Sequence, residues 1–278
     1  MTRNFRISVI LLVMLATAGI GPLEAMFAPS ANLWSRWLAA DAGATTRIDH
    51  SPWDAIIKTY RSEGRSGGAR FAYGSVSPAD REALQAYLAA LEVVPISRYS
   101  RPEQFAYWIN LYNALTVEVV LDHYPVGSIR DINISPGLFA RGPWGRKMVT
   151  IEGEEVSLND IEHRILRPIW KDPRIHYAVN CAAVGCPELQ EDAFTASNTE
   201  ALLNRGARAF VNDARGVRFE NGRLIVSGIY GWFAEDFGGS AGVLDHLRLY
   251  AEPDLRRKLE LRTAVDDHAY DWSLNATR

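Results

Sequence analysis

Cysteine is scarce in this chain, and several common catalytic signatures are missing. The 278 residues contain only two cysteines, Cys181 and Cys186, so a framework of several disulfides is excluded. The one Gly-x-Ser-x-Gly pattern, at residues 238–242, follows an aromatic, turn-rich stretch rather than a predicted strand, so it is not a nucleophile elbow, and no phosphate-binding glycine loop occurs. Both observations argue against a serine hydrolase and against a nucleotide enzyme. The sequence also lacks internal repeats and low-complexity linkers. A single interleaved domain is therefore the simplest architecture.

An excess of basic residues is also absent. Lys and Arg number 30 against 33 Asp and Glu, which gives a formal net charge of −3. Because a mildly acidic chain without a basic stripe binds nucleic acid poorly, we expect no nucleic-acid partner. A hydrophobic content of 47% is sufficient for a sizeable core.

No apolar run reaches the roughly 20 residues that a membrane-spanning helix needs. The longest, at residues 7–20, follows Arg3 and Arg6 and precedes a break at Gly21 and Pro22. This pattern predicts a secretory signal peptide over residues 1–25, hence a periplasmic or secreted protein with no stable span after cleavage. An uncleaved N-terminal anchor is the alternative. The remainder is divided into a helical region, 26–100, and a core domain, 101–278, which we expect to form one structural unit.

The periodicities predict an α+β fold, a mostly helical domain with a central antiparallel sheet. The longest helical pattern, residues 101–124, is apolar over more than half of its circumference, so the core should nearly engulf this helix. Asn110 and Asn113 fall at the edge of the buried arc and inside it. An unpaired buried amide is costly, so both should be hydrogen-bonded. A helix-to-loop network is the preferred interpretation, and orientation of a catalytic group is the alternative.

A second helix carries charged side chains on its apolar face. Ser157 and Asp160 predict a capping-box start for a helix that ends near Trp170. Glu162 lies within the buried stripe of this helix, and His163 lies at its border. A carboxylate in such a position must find a partner or hold a proton. Catalysis and a structural salt bridge to an arginine both satisfy this requirement.

The two cysteines lie in the stretch where we place the chemistry. The apolar run at residues 175–179 predicts a buried strand, and residues 180–185 predict the loop that ends it. Pro187 cannot continue a ladder. In a regular strand His176 and Cys181 point to opposite faces, which leaves Cys186 as the freer partner for a histidine.

Several stretches have the character of family motifs. They are FAYWINLYNA at residues 105–114, SLNDIEH at 157–163 with ILR at 165–167, DPRIHYAVNC at 172–181 with Cys186-Pro187, Asp236-Phe237, and YDWSLN at 270–275. Together they resemble one family, the bacterial and plant domain of unknown function numbered 547. The resemblance covers roughly residues 100–275. It implies no particular activity, but it directs attention to residues inside the motifs: Asn110, Asn113, Glu162, His163, Arg174, His176, Asn180, Cys181, Cys186 and Asp271.

The preferred function is a thiol-dependent hydrolase or acyl transferase that acts in the cell envelope on a small molecule or peptide. A cysteine nucleophile needs a neighbouring base, and that base needs an orienting group. The candidate catalytic residues are Cys186, Cys181, His163, His176 and Glu162. Asn110, Asn113, Arg174, Asn180 and Asp271 are candidates for binding or orienting roles.

Two other interpretations use the same cysteines. A disulfide between Cys181 and Cys186 would make the chain a non-catalytic binding or envelope-structural module, for which a flat polar surface without a cavity beside Cys186 is expected. A zinc site from His176, both cysteines and His163 has unusual ligand spacing. We therefore expect neither a metal nor a cofactor, and the sequence leaves the oligomeric state open.

Overall fold

The computed structural model describes residues 28–64, 68–137 and 140–277. The predicted signal peptide, 1–25, lies outside these residues. Among the described residues, none of the helices has the length and apolar character needed to cross a bilayer.

Helices account for most of the regular structure. The helices are α1 (Ser51–Tyr60), α2 (Pro78–Glu92), α3 (Arg101–His123), α4 (a π-helical stretch, Asp160–Leu166, continued by an α-helical turn, Arg167–Trp170), α5 (Thr199–Val211), α6 (Ile229–Trp232), α7 (Gly239–Tyr250) and α8 (Pro253–Glu260). Short 3₁₀ turns occur at Ser35–Leu38, Tyr73–Ser75, Ile96–Arg98, Ile129–Asp131, Pro173–Tyr177 and Ala234–Phe237.

The predicted α+β class is confirmed, but the strands within the described residues do not form one central antiparallel sheet. They form three small sheets, composed of β1 (Arg61–Glu63) with β2 (Ala69–Phe71), β3 (Lys147–Ile151) with β4 (Glu154–Ser157), and β5 (Val217–Glu220), β6 (Arg223–Ser227) and β7 (Asp267–Ala269). β6 pairs antiparallel with β5 and parallel with β7. The Asn221-Gly222 turn between β5 and β6 has φ angles of 50° and 77°, as a two-residue hairpin requires.

α3 is the centre of the larger core, as its apolar circumference predicts. The buried residues of α3 occupy every face of the helix between Glu103 and Val117. Asn110 donates to the Phe194 carbonyl at 2.7 Å and accepts from the Phe194 amide at 3.0 Å. Asn113 bonds the Ala178 carbonyl at 2.9 Å and the Asn180 amide at 2.8 Å. The predicted helix-to-loop network is therefore confirmed.

Two hydrophobic clusters make up the interior. The larger surrounds α3, and the smaller is formed by α5, the β5-β6 hairpin and α7. The segment at residues 175–179 joins the two, because Ile175 and Ala178 belong to the larger cluster whereas Tyr177 belongs to the smaller. The cysteine loop thus follows a segment that is held from both sides.

We predict that Asn113→Ala destabilises the fold by about 2–5 kcal/mol, because it leaves a buried carbonyl at Ala178 and a buried amide at Asn180 without partners. Chemical denaturation measures the loss. Gln85→Ala, on the exposed face of α2, is the control and should change the free energy of unfolding by less than about 0.5 kcal/mol. Equal effects of the two substitutions would contradict the assignment.

Candidate functional site

The segment before the cysteines is a 3₁₀ turn, Pro173–Tyr177, and the predicted strand at 175–179 is wrong. Asp172 caps this turn by accepting from the Arg174 amide at 2.9 Å, and Pro173 occupies its first position. These helix-start signals outweigh the apolar run. The alternation of strand faces therefore does not apply, and His176 and Cys181 line the same cavity.

Asn180 shapes the loop that carries both cysteines. Its side-chain nitrogen donates to the Pro187 carbonyl at 2.7 Å, and its side-chain oxygen accepts from the Ala182 amide at 3.0 Å. These bonds draw the two ends of the loop together. Ala182, directly after Cys181, is fully buried with a φ of 58°, a conformation that costs energy for a residue with a Cβ and that clusters at functional sites.

The C-terminal segment, residues 270–275, closes over this loop. The Val184 amide donates to the Ser273 carbonyl and the Gly185 amide to the Asp271 carbonyl, each at 2.8 Å. A Cβ at Gly185 would lie 2.7 Å from the Asp271 nitrogen, so only glycine permits this approach. The pairing brings the Tyr270 hydroxyl to 3.0 Å from the Cys181 sulfur.

Both cysteines are free thiols, and their environments differ. Cys181 is partly exposed, and the Cys186 thiol, the Tyr270 hydroxyl and the Ala183 backbone hydrogen-bond to it. The bond with Cys186 is the main reason that the pKa of Cys181 is lowered, against the opposing effects of burial and the Glu162 charge. Burial, followed by the contact with Cys181, raises the pKa of Cys186 well above the usual thiol range.

Glu162 and His163 project from the π-helical stretch of α4. The predicted capping box at its start is present, since the Asp160 amide donates to the Ser157 hydroxyl at 3.2 Å and the Ser157 amide donates to the Asp160 carboxylate at 2.9 Å. π-Helical turns are frequent at functional sites. Glu162 Oε1 lies 3.9 Å from Nδ1 of His163 and 3.8 Å from Nδ1 of His176. Glu162 is thus between two imidazoles.

Asp236 orients His176 from the opposite side. Its Oδ2 lies 2.7 Å from His176 Nε2 and 2.5 Å from Arg167 Nε. Burial alone would raise the pKa of Asp236, but the hydrogen bonds from His176 and Arg167 lower it to about 2. The carboxylate of Asp236 is therefore ionised and accepts a hydrogen bond from His176 Nε2. The other ring nitrogen of His176, Nδ1, is then directed to Glu162. The His176 ring stacks on Phe233 with centroids 4.5 Å apart.

His163 is held as a neutral acceptor. Arg167 Nη1 lies 2.9 Å from His163 Nδ1, and since a guanidinium only donates, the imidazole proton is on Nε2. Desolvation by burial lowers the pKa of His163 to about 4. The geometry therefore gives His163 a positioning role rather than that of a base.

These groups face one cavity of about 770 Å³. Its wall includes Cys181, Cys186, Glu162, His163 and His176, together with Tyr112 from α3 and a group of aromatic side chains: Trp144, Trp232, Phe233, Tyr270 and Trp272. Arg130 also lines the cavity, with its guanidinium 4.9 Å above the Trp272 ring. A volume in this range is typical of small-molecule sites.

None of the five candidate orienting residues belongs to the cavity wall. Arg174 pairs with Asp172 at 2.6 Å and with Glu200 at 2.6 Å near the surface. Asp271 accepts from the Ser273 amide at 2.8 Å, which fixes a turn. Asn110 holds the 193–194 segment through Phe194. Asn113 and Asn180 act indirectly, because they shape the loop of Cys181.

The sequence reasoning gave no role to Asp236, Arg167, Tyr270 or Tyr112. All four lie in the motif stretches quoted for the family, Tyr112 within FAYWINLYNA at residues 105–114, so the resemblance included them without indicating a function. Burial, followed by the nearby charge of Glu162, raises the pKa of Tyr112 well above its usual value, so its hydroxyl remains protonated beside that carboxylate.

Within residues 28–64, 68–137 and 140–277, no cluster of three or more His, Cys, Asp or Glu side chains is placed to hold a metal ion.

Comparison with known proteins finds one family match. Residues 96–211 match the model of a family described as "Protein of unknown function, DUF547". This match confirms the resemblance that the motifs indicated, over that part of the chain. The match includes both cysteines, Glu162 and the two histidines, whereas Asp236 and Tyr270 lie beyond it. No curated protein and no solved structure matches the chain.

We predict that His163 makes the fold sensitive to acid. Its pKa is about 4 in the folded chain and about 6.5 when unfolded. Between these values the unfolded chain binds a proton that the folded chain does not, so stability falls as pH decreases from 6.5 to 4. His163→Gln should reduce this slope by up to about 1.4 kcal/mol per pH unit, as measured by denaturation across that range. The control Gln85→Ala should keep the wild-type slope, and an unchanged slope in His163→Gln would refute the prediction.

Proposed function

We propose that the protein is a thiol-dependent acyl-transfer enzyme, and a hydrolase when water is the acceptor. The observation that supports this most strongly is the state of Cys181. Cys181 is partly exposed and lines the cavity, and its pKa is lowered by interactions with Cys186, Tyr270 and the Ala183 backbone. A thiolate at the wall of a cavity is the arrangement that cysteine nucleophiles require.

Cys181, rather than Cys186, is the nucleophile in this proposal. Cys186 is 4% exposed and its pKa is raised, so its thiol keeps its proton. Its sulfur accepts from the Cys181 amide at 3.0 Å. The thiol of Cys186 is therefore suited to donate to the Cys181 sulfur and to stabilise the thiolate.

His176 and Glu162 supply the proton transfers. Asp236 holds the imidazole of His176 with Nδ1 towards Glu162, as an orienting carboxylate holds the base of a triad. In this proposal the pair keeps the proton that Cys181 gives up on ionising and passes it to the leaving group as the thiolate attacks the acyl carbon. It then deprotonates the water, or another acceptor, that releases the acyl group from sulfur.

The cavity favours an enzyme over the binding module. A binding module was expected to present a flat polar surface beside Cys186, whereas both cysteines line a cavity of about 770 Å³. The aromatic side chains around it provide apolar contact surface for a substrate, and the carboxylate and imidazoles supply a few convergent polar groups.

The proposed place of action is the periplasm or the cell exterior, with cell-envelope amides or esters as substrates. This part of the proposal rests on the N-terminal sequence, where Arg3 and Arg6 precede an apolar run of signal-peptide length.

We predict that an activated acyl ester, p-nitrophenyl acetate, acylates Cys181, which peptide mapping by mass spectrometry would detect as an acyl group on that residue. Cys181→Ser should reduce turnover on the order of 1000-fold or more. Glu162→Gln should still acylate but should release the acyl group about 100-fold more slowly.

The matched control is Glu200→Gln, which alters an exposed carboxylate that pairs with Arg174 outside the cavity. This variant should acylate and turn over as the wild type does. The proposal would be contradicted by acylation that is confined to surface lysines, or by equal turnover in Cys181→Ser and the wild type.

A further inference from the structure

The two cysteine side chains lie beside each other, because Cys186 Sγ accepts from the Cys181 backbone amide at 3.0 Å, with the Val179 carbonyl 3.8 Å away. The interaction with Cys186 lowers the pKa of Cys181, whereas burial and the interaction with Cys181 raise the pKa of Cys186. A sulfur nucleophile therefore has a second, protonated sulfur as its nearest reactive neighbour.

The loop geometry keeps this neighbour in place. The bond from Asn180 to the Pro187 carbonyl, 2.7 Å long, ties together the residues that flank the loop from Cys181 to Cys186. The Cys186 amide donates to the Ala183 carbonyl at 3.1 Å, which folds the intervening residues into a turn. The C-terminal segment pairs with the amides of Val184 and Gly185. Fixation of this kind gives the two sulfurs a high effective concentration.

Access to the two sulfurs is unequal. Cys181 is partly exposed and Cys186 is buried, although both line the cavity. A small oxidant that enters the cavity thus meets the thiolate of Cys181 first. Oxidation of cysteine is selective for accessible thiolates, and redox-sensing cysteines often have a second cysteine beside them.

We propose that Cys181 is a site of reversible oxidation by a hydroperoxide, and that Cys186 is its resolving cysteine. In the first step the Cys181 thiolate attacks the hydroperoxide, the O–O bond breaks, sulfur is oxidised to the sulfenic acid, and the departing alkoxide takes a proton to leave as the alcohol. In the second step the Cys186 sulfur attacks the sulfenic sulfur, a disulfide forms, and the hydroxyl leaves with the Cys186 proton as water.

An external dithiol completes the cycle. One of its sulfurs attacks the disulfide to form a mixed disulfide, and its second sulfur displaces the protein, which regains both thiols while the dithiol is oxidised. While the disulfide persists, the Cys181 thiolate is absent, so acyl transfer stops. The same bond protects Cys181 from irreversible oxidation to sulfinic acid.

The test is oxidation of the full chain with equimolar hydrogen peroxide, followed by intact mass measurement and peptide mapping. The wild type should lose the mass of two hydrogen atoms and yield a peptide in which Cys181 and Cys186 are linked, and dithiothreitol should restore the original mass. Cys186→Ser keeps a hydroxyl donor but cannot form the bond. It should instead accumulate sulfenic acid on Cys181, which dimedone traps, and then gain further oxygen atoms.

Oxygen adducts on Cys181 without a linked peptide in the wild type would overturn the proposal, as would identical products from the wild type and Cys186→Ser. The test does not depend on the acyl-transfer proposal. If the disulfide forms but the acyl ester never labels Cys181, acyl transfer alone is refuted. If the ester labels Cys181 but the two cysteines never form a disulfide, the redox pair alone is refuted.

Discussion

The side-chain amide of Asn180 holds the loop on which the rest of the site depends. Its oxygen accepts from Ala182 and its nitrogen donates to Pro187, while Asn113 of α3 holds its backbone amide. Because α3 is packed on all sides by the larger core, the loop is fixed to a helix that is itself held by the core. The two thiols can therefore remain in contact, and Tyr270 can donate to a sulfur of fixed position.

The second half of the site consists of an arginine and an aspartate that are hydrogen-bonded to two imidazoles. Arg167 bonds both Asp236 and His163, and Asp236 bonds His176. One ring nitrogen of each imidazole is hydrogen-bonded in this network, and this bond determines which ring nitrogen carries the proton. Buried charges of this kind are costly unless paired, and here the Arg167 guanidinium pairs with the Asp236 carboxylate from a segment distant in sequence. The π-helical stretch of α4 directs Glu162 towards the same cavity.

Local signals in the sequence predicted the elements that depend on neighbouring residues. The capping box at Ser157 and the engulfed α3 follow from spacing, and the pairing of Asn110 and Asn113 follows from the cost of burying an amide. The strand at 175–179 failed because Asp172 and Pro173 start a turn there. Tyr270 and Asp236 had no role in the sequence reasoning because their contacts with Cys181 and His176 span 89 and 60 positions, which spacing cannot reveal. The division of strands into three sheets is equally a matter of long-range pairing.

The central claim is that hydrogen bonds make Cys181 a thiolate, and the pH dependence of its alkylation tests this most directly. The rate of iodoacetamide modification at Cys181, followed by peptide mapping, should have a midpoint below the ordinary thiol pKa of about 8.5. Tyr270→Phe keeps the ring but removes the donor that lies 3.0 Å from the sulfur, so its midpoint should be higher. A wild-type midpoint at or above the ordinary value, unaffected by Tyr270→Phe, would contradict the account.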